Sequence, residues 1–188
     1  FSSATHGHNC LVVNGQNQRK ETDSVGVITD ARDENGIVWL RSDATKCYQG
    51  AESVVREIAV VKPHRGTGRW GYVVVRDRAR TAEPATFEFV LQPGGQVETD
   101  GDGFTIECER SRLVGRVVSP SGCTMTVVPG FGEYINVEGP LTVRISAPGK
   151  AREVEFVVAL APIAEGEGAP AIAAPTRSRP GAVVHGEV

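Results

Sequence analysis

The chain is predicted to be an all-β protein: an antiparallel β-sandwich of about a dozen strands with an extended C-terminal tail. Three observations predict this. From Cys10 to Leu160 the apolar residues come in short, β-branched runs, with almost no sustained helical period. Between the runs stand Asn14-Gly15, Asn35-Gly36, Pro93-Gly94-Gly95 and Asp100-Gly101-Asp102-Gly103, residues that reverse a chain because glycine takes positive φ without a Cβ clash. The runs also recur at the spacing of a two-sheet sandwich, and 188 residues suffice for one such core.

In order along the chain, "NCLVVNGQ" gives a strand closed by Asn14-Gly15, and "SVGVITDARDENGIVWLRSD" reads as strand, turn at Asn35-Gly36, strand. "AESVVREIAVVKP" and "RWGYVVVRDRAR" read as a long antiparallel pair. Val54, Arg56, Ile58 and Val60 fall on one face of the first, and Val55, Glu57, Ala59 and Val61 on the other. Neither face is cleanly polar, so this strand is expected to be central and covered on both sides. In "ATFEFVLQPGGQVETDGDGFTIECER" Phe87, Phe89 and Leu91 alternate with Thr86, Glu88 and Val90. "DGDG" there reads as a hairpin turn. "RLVGRVVSP", "CTMTVVPG", "LTVRISAPG" and "REVEFVVALAP" supply the remaining strands.

The composition excludes two classes of partner. A net charge of -3, from interspersed acids and bases, lacks the one-sided basic field that phosphate backbones demand, so nucleic acid is not expected. No apolar run approaches the roughly 20 residues needed to span a bilayer. The N-terminus has no signal-peptide pattern and no initiator Met, so the chain is expected to be mature or cut from something longer. Cys10, Cys47, Cys108 and Cys123 lack the spacing of a zinc knuckle or a redox motif. Two disulfides or four buried thiols remain open, with Cys108 and Cys123 on successive predicted strands. An extracellular or periplasmic location is expected.

After Pro162 the sequence turns to Ala, Gly and Pro, which bury too little apolar surface to hold one conformation. The expected organisation is therefore a sandwich domain over residues 1–161 and a linker and tail over 162–188. Ala182-Val183-Val184 in that tail could add as a strand to a sheet edge, its own or a neighbour's.

The order of several short motifs resembles the C-terminal β-sandwich of the heparinase II/III-like polysaccharide lyases, over roughly residues 1 to 160. The matching positions are Phe1, His8-Asn9-Cys10, Asn14-Gly15-Gln16-Asn17-Gln18, Arg56, Lys62-Pro63 and Val73-Val74-Val75-Arg76-Asp77-Arg78. Cys10 stands where that family has Thr, and Asn14 where it has Asp. The resemblance implies that His8 lies at a cleft between the sandwich and an α-helical toroid, and that it ligates zinc in the metal-bearing members. It also implies β-elimination of acidic polysaccharides, with most active-site groups coming from segments this sequence does not contain. No catalytic residue is therefore assigned, and the expected partner is an acidic polysaccharide or an α-helical toroid domain, with a homo-oligomer or filament through the C-terminal tail as a further expectation.

Taken as residues, His6 and His8 on a strand would face the same way and could chelate zinc with His64 or Asp23. Their alternative is backbone hydrogen bonding at a sheet edge. Glu21, Asp23, Asp30 and Asp33 could attract calcium, but without the alternating ligand loop a solvated turn is expected. Trp39, Trp70 and Tyr72 offer flat faces to pyranose rings, while Arg76 and Arg78, with Arg65, Arg69 and Arg80, could pair with glycan carboxylates or sulfates. Two functional readings follow: part of a uronate lyase incomplete by itself, or a non-catalytic structural or carbohydrate-binding module that self-assembles through its C-terminal strand.

Overall fold

The structure, a computed structural model, describes residues 4–63, 71–129 and 141–167. The described residues hold twelve strands: β1 (Leu11–Val13), β2 (Val27–Glu34), β3 (Ile37–Asp43), β4 (Ala51–Val61), β5 (Tyr72–Ala85), β6 (Phe87–Leu91), β7 (Gln96–Asp100), β8 (Gly103–Cys108), β9 (Ser111–Ser119), β10 (Thr124–Pro129), β11 (Leu141–Ser146) and β12 (Ala151–Ala164). They form two antiparallel sheets, one of four strands in the order β1-β6-β11-β10 and one of eight in the order β2-β3-β4-β5-β12-β9-β8-β7. Among the described residues no helix is long and apolar enough to cross a membrane.

The predicted turns are where the strands reverse. Asn35 and Gly36 both take positive φ and bring Glu34 opposite Ile37, the left-handed pair that a two-residue hairpin requires. Gly101 does the same between Asp100 and Gly103. β4 and β5 pair antiparallel as expected, from Val61 opposite Tyr72 to Ala51 opposite Thr81.

The core lies between the sheets because strand alternation sends every second side chain inward. Phe87, Phe89, Val143 and Ile145 of the narrow sheet meet Val75, Val117, Phe104, Ile106, Phe156 and Val158 of the wide one. The rings of Phe89 and Phe156 are 6.0 Å apart and tilted by 45°. Phe104 lies flat across Gly115 of the adjacent strand, where an added Cβ would overlap its ring.

The sheets differ in width, and this sets the shape of the molecule. The narrow sheet covers β4, β5, β12, β9 and β8, whereas β2 and β3 contribute no described residue to the core cluster. They project as a wing. The expectation that β4 is covered on both faces holds in part: Val54 on the inner face and Val55 and Val61 on the outer face are buried, whereas Val60 of the inner face is exposed and Glu57 of the outer face lies among arginines. β12 runs to Ala164, with Pro162 opposite Leu113, so the last strand passes the expected boundary at 161. The proposed strand-donating segment within 168–188 lies outside the described residues.

All four cysteines are free thiols. Cys108 ends β8, while Cys123 precedes β10 in the other sheet. β9 separates them in the chain, so their strands are not neighbours.

Candidate functional site

The narrow sheet ends above the middle of the wide one, and the segment from Thr5 to Cys10 forms that end. Thr5–Gly7 is a 3-10 turn rather than the expected strand, so His6 and His8 do not project to one face. Thr5 pins the turn: its N–H donates to Asn17 Oδ1 at 2.8 Å, and its hydroxyl accepts from the Gln18 N–H.

His6 is committed to the fold. Its Nδ1 faces Arg144 Nη2 at 3.0 Å and its Nε2 faces the Gly15 carbonyl at 3.3 Å. Because guanidinium only donates and carbonyl only accepts, the two contacts suit the tautomer with its proton on Nε2. Its own carbonyl accepts from Gln92 Nε2 at 2.7 Å. His8, one turn on, is exposed, with its backbone N–H donating to Thr5 O at 3.1 Å.

Between His8 and the core stands a clamp on Asn9. Asn9 Oδ1 accepts from the Gln92 N–H at 2.6 Å, and Asn9 O accepts from Arg56 Nη1 at 2.6 Å. Arg56 rises from the inner face of β4, is held at two points by buried Asp77 of β5, and lies over the Phe89 ring with 5.5 Å to its centroid. Burial works against its charge, but the hydrogen bonds and charge of Asp77 outweigh this and hold the guanidinium above its ordinary pKa. Beneath the same segment Cys10 donates to Thr5 O at 3.0 Å, and burial pushes its thiol up to about 11. Tyr48 donates to Leu11 O at 2.8 Å, and burial raises its phenol as well.

The metal reading can be tested on donors. Among the described residues no group of three His, Cys, Asp or Glu side chains is placed to hold an ion. His6 has both ring nitrogens engaged, Asp23 pairs with Arg19 at 3.4 Å, and His64 lies outside the described residues. The acidic group resolves into ion pairs: Glu21 and Asp23 with Arg19, Asp30 with Arg32, and Asp33 with Lys62.

The described glycan candidates share one surface, the outer face of the wide sheet. Trp39, Tyr72, Arg76 and Arg78 all alternate with the inward residues of β3 and β5. Trp70, Arg65 and Arg69 lie outside the described residues. Trp39 stands opposite Arg32, whose guanidinium covers its ring at 5.5 Å. Arg41, Arg76 and Arg78 converge on Glu57 at 3.4, 3.3 and 3.4 Å, and Arg76 also holds Glu155. Arg80, on the same face, pairs with Glu52 at 2.8 Å. These arginines face one another's counter-ions before any ligand.

Sequence reasoning missed the Gln92–Asn9–Arg56–Asp77 chain as a unit. Its members are up to 83 residues apart in the chain, and only the Arg and Asp types on adjacent predicted strands hinted at it.

No family model and no curated protein matches the sequence. Solved structures do match. They include a heparinase III gene product at 17% identity and TM-score 0.66, over 86% of this chain and 24% of that one. A crystal structure of heparinase III matches at 16% identity and TM-score 0.65, over 86% and 24%. The heparan sulfate lyase HepC from Pedobacter heparinus matches at 15% identity and TM-score 0.67, over 88% and 25%. At these identities the likeness is one of fold: this chain has the β-sandwich found in heparinase III and heparan sulfate lyase structures. It spans about a quarter of their length.

Proposed function

We propose that this chain is the β-sandwich part of an acidic-polysaccharide lyase of the heparinase II/III type, acting in the extracellular or periplasmic space with an α-helical domain. One observation carries the reading: the sandwich is shared with lyases about four times its length, and the histidine that the sequence resemblance places at the cleft, His8, is exposed at the sandwich rim. β-Elimination on a uronate needs a base for the proton α to the carboxylate, an acid for the departing 4-oxygen, and positive charge for the developing enolate. At the described rim His8 is the exposed imidazole, and His6 is half-buried against Arg144 and the Gly15 carbonyl. The rim supplies a fixed wall: Arg56 and Gln92 lock Asn9, and with it the backbone that presents His8.

The test is an assay of the purified 188-residue chain on heparan sulfate and other uronate polymers, alone and with the helical domain added. Unsaturated-uronide absorbance is expected only from the combination. Degradation by the chain alone would overturn the claim of incompleteness, and silence from the full gene product would overturn the lyase reading.

A second reading, a non-catalytic module that binds acidic glycans, draws on the shared outer face of Trp39, Tyr72, Arg76 and Arg78. The ion pairs of Arg76 and Arg78 and the arginine over Trp39 weigh against it. Salt-sensitive retention on immobilised heparin, lost in Arg76→Ala/Arg78→Ala, would favour it.

A further inference from the structure

Two turns of the sandwich carry the same dipeptide. Asn14-Gly15 follows β1 and Asn35-Gly36 joins β2 to β3; asparagine and glycine both take positive φ, 53° and 65° at the first turn, 52° and 77° at the second. Both asparagines are exposed. What differs is how each turn is held. Asn14 Oδ1 accepts from the Thr86 N–H at 3.0 Å, and the Asn14 N–H donates to Thr86 O at 2.9 Å. The Gln16 N–H closes that turn onto Val13 O at 3.0 Å, the Gly15 carbonyl faces His6 Nε2 at 3.3 Å, and the strand behind is buried throughout. The Asn35 side-chain amide, in contrast, has no hydrogen-bond partner among the described residues. Its turn is tied to the next strand by the Lys62 N–H, which donates to Gly36 O at 2.8 Å. Behind it, β2 is an edge strand exposed at every position but Asp30.

Asparagine before glycine is chemically labile. The glycine main-chain nitrogen, having given its proton to base, attacks the asparagine Cγ; that C–N bond forms, the Cγ–Nδ2 bond breaks, and ammonia leaves. Water then opens the succinimide ring. Cleavage at Cγ gives aspartate, and cleavage at the main-chain carbonyl gives isoaspartate, whose backbone runs through Cβ and Cγ. Asparagine and water thus become an acid and ammonia, with no change of oxidation state. Glycine has no Cβ to obstruct the attack. The nitrogen must still reach Cγ in line for attack, and the left-handed conformation turns it away, so the turn has to open first.

We propose that Asn35 is a site of spontaneous modification, converting to aspartate and isoaspartate at the tip of the wing, and that Thr86 protects Asn14 from the same reaction. To reach the Gly15 nitrogen, the Asn14 side chain must leave the Thr86 N–H and its main chain must release Thr86 O; Asn35 gives up neither bond. Two hydrogen bonds of ordinary net strength correspond to roughly tenfold or more in the population of the opened turn. The product alters the wing. A carboxylate at position 35 follows Asp33 and Glu34 and adds one negative charge to the chain's net -3. Isoaspartate also adds a main-chain atom to a two-residue turn, so Glu34 and Ile37 lose the register they share. The reaction is independent of the lyase reading.

Peptide mapping of the whole 188-residue chain after storage in mildly alkaline buffer tests this. Trypsin, cutting after Arg32 and Arg41, releases residues 33–41 with Asn35 and the absorbing Trp39, while Asn14 falls in the peptide that ends at Arg19. Each site's rate is divided by its rate in the same chain unfolded in guanidinium chloride, so that the effect of neighbouring sequence cancels. In the folded chain the 33–41 peptide should gain one mass unit and accept enzymatic carboxyl methylation at isoaspartate, at a normalised rate about tenfold or more above that of Asn14. In Asn35→Gln, whose longer side chain closes a ring far less readily, the same peptide should stay unchanged. Equal normalised rates, a faster Asn14, or an Asn35 that reacts in the unfolded chain but stays intact in the folded one would each overturn the proposal.

Discussion

Arg56 and Asp77 meet through two parallel hydrogen bonds, both 2.6 Å, on the inner face of the wide sheet below the end of the narrow one. The third donor of that guanidinium reaches across the sandwich to the Asn9 carbonyl. One side chain thus ties the two sheets together at the rim.

Removing Arg56 leaves the buried Asp77 carboxylate without its counter-ion. Arg56→Met is expected to cost about 3–5 kcal/mol and to lower the Tm by roughly 10 °C. Arg56→Met/Asp77→Leu should recover most of that loss, because it removes the stranded charge as well. Thermal melts of the three proteins check this, and a single mutant that melts like the parent refutes it.

Glu57 holds three arginines apart on the outer face. In Glu57→Gln they face each other with less compensation, and a loss of roughly 1 kcal/mol is expected after allowing for their exposure. Salt screens repulsion between exposed charges. The deficit in urea midpoint should therefore shrink as salt is raised; a deficit independent of salt would assign it to packing.

Burial raises the Cys10 thiol to about 11 from 9.0, so the folded state favours the neutral form. The stability this contributes is full below pH 9, where the unfolded thiol is also protonated, and is lost as pH climbs from 9 to 11. Cys10→Ala should make that decline shallower in melts across this range. Tyr48, raised by burial too, carries the remaining slope above pH 10. In alkylation at pH 8, exposed Cys108 should react first and Cys10 last.

Gly115→Ala pushes a methyl into the Phe104 ring. A loss of about 1–3 kcal/mol is expected, and Phe104→Leu added to it should return part of the loss by opening the space. Urea midpoints decide between this and a purely local backbone effect, which the second change would not relieve.

Strand identity was legible in the sequence because period-2 alternation and turn residues are local signals. Asn35-Gly36 and Asp100–Gly103 mark hairpins whose partners lie next to them. Sheet membership was not legible. Three-residue β1 joins β6 far along the chain, and nothing in "LVV" says which sheet it enters. His6 misled for a related reason: the strand reading came from its neighbours, whereas a contact with Arg144, 138 residues away, fixes its ring. Tyr72, Arg76 and Arg78 share a side because they alternate along one strand, whereas Trp39 joins them only through the register across β4. That their charges pair with Glu57 and Glu155 depended on cross-strand register, which composition does not encode.

The unequal width of the sheets makes β4 a beam supported at one end. Val54 and Arg56 sit under the narrow sheet, and Val60, four residues farther along the same strand, sits in the open. The register of one eleven-residue strand therefore fixes both the reach of the guanidinium to the Asn9 carbonyl and the distance from that contact to the open wing.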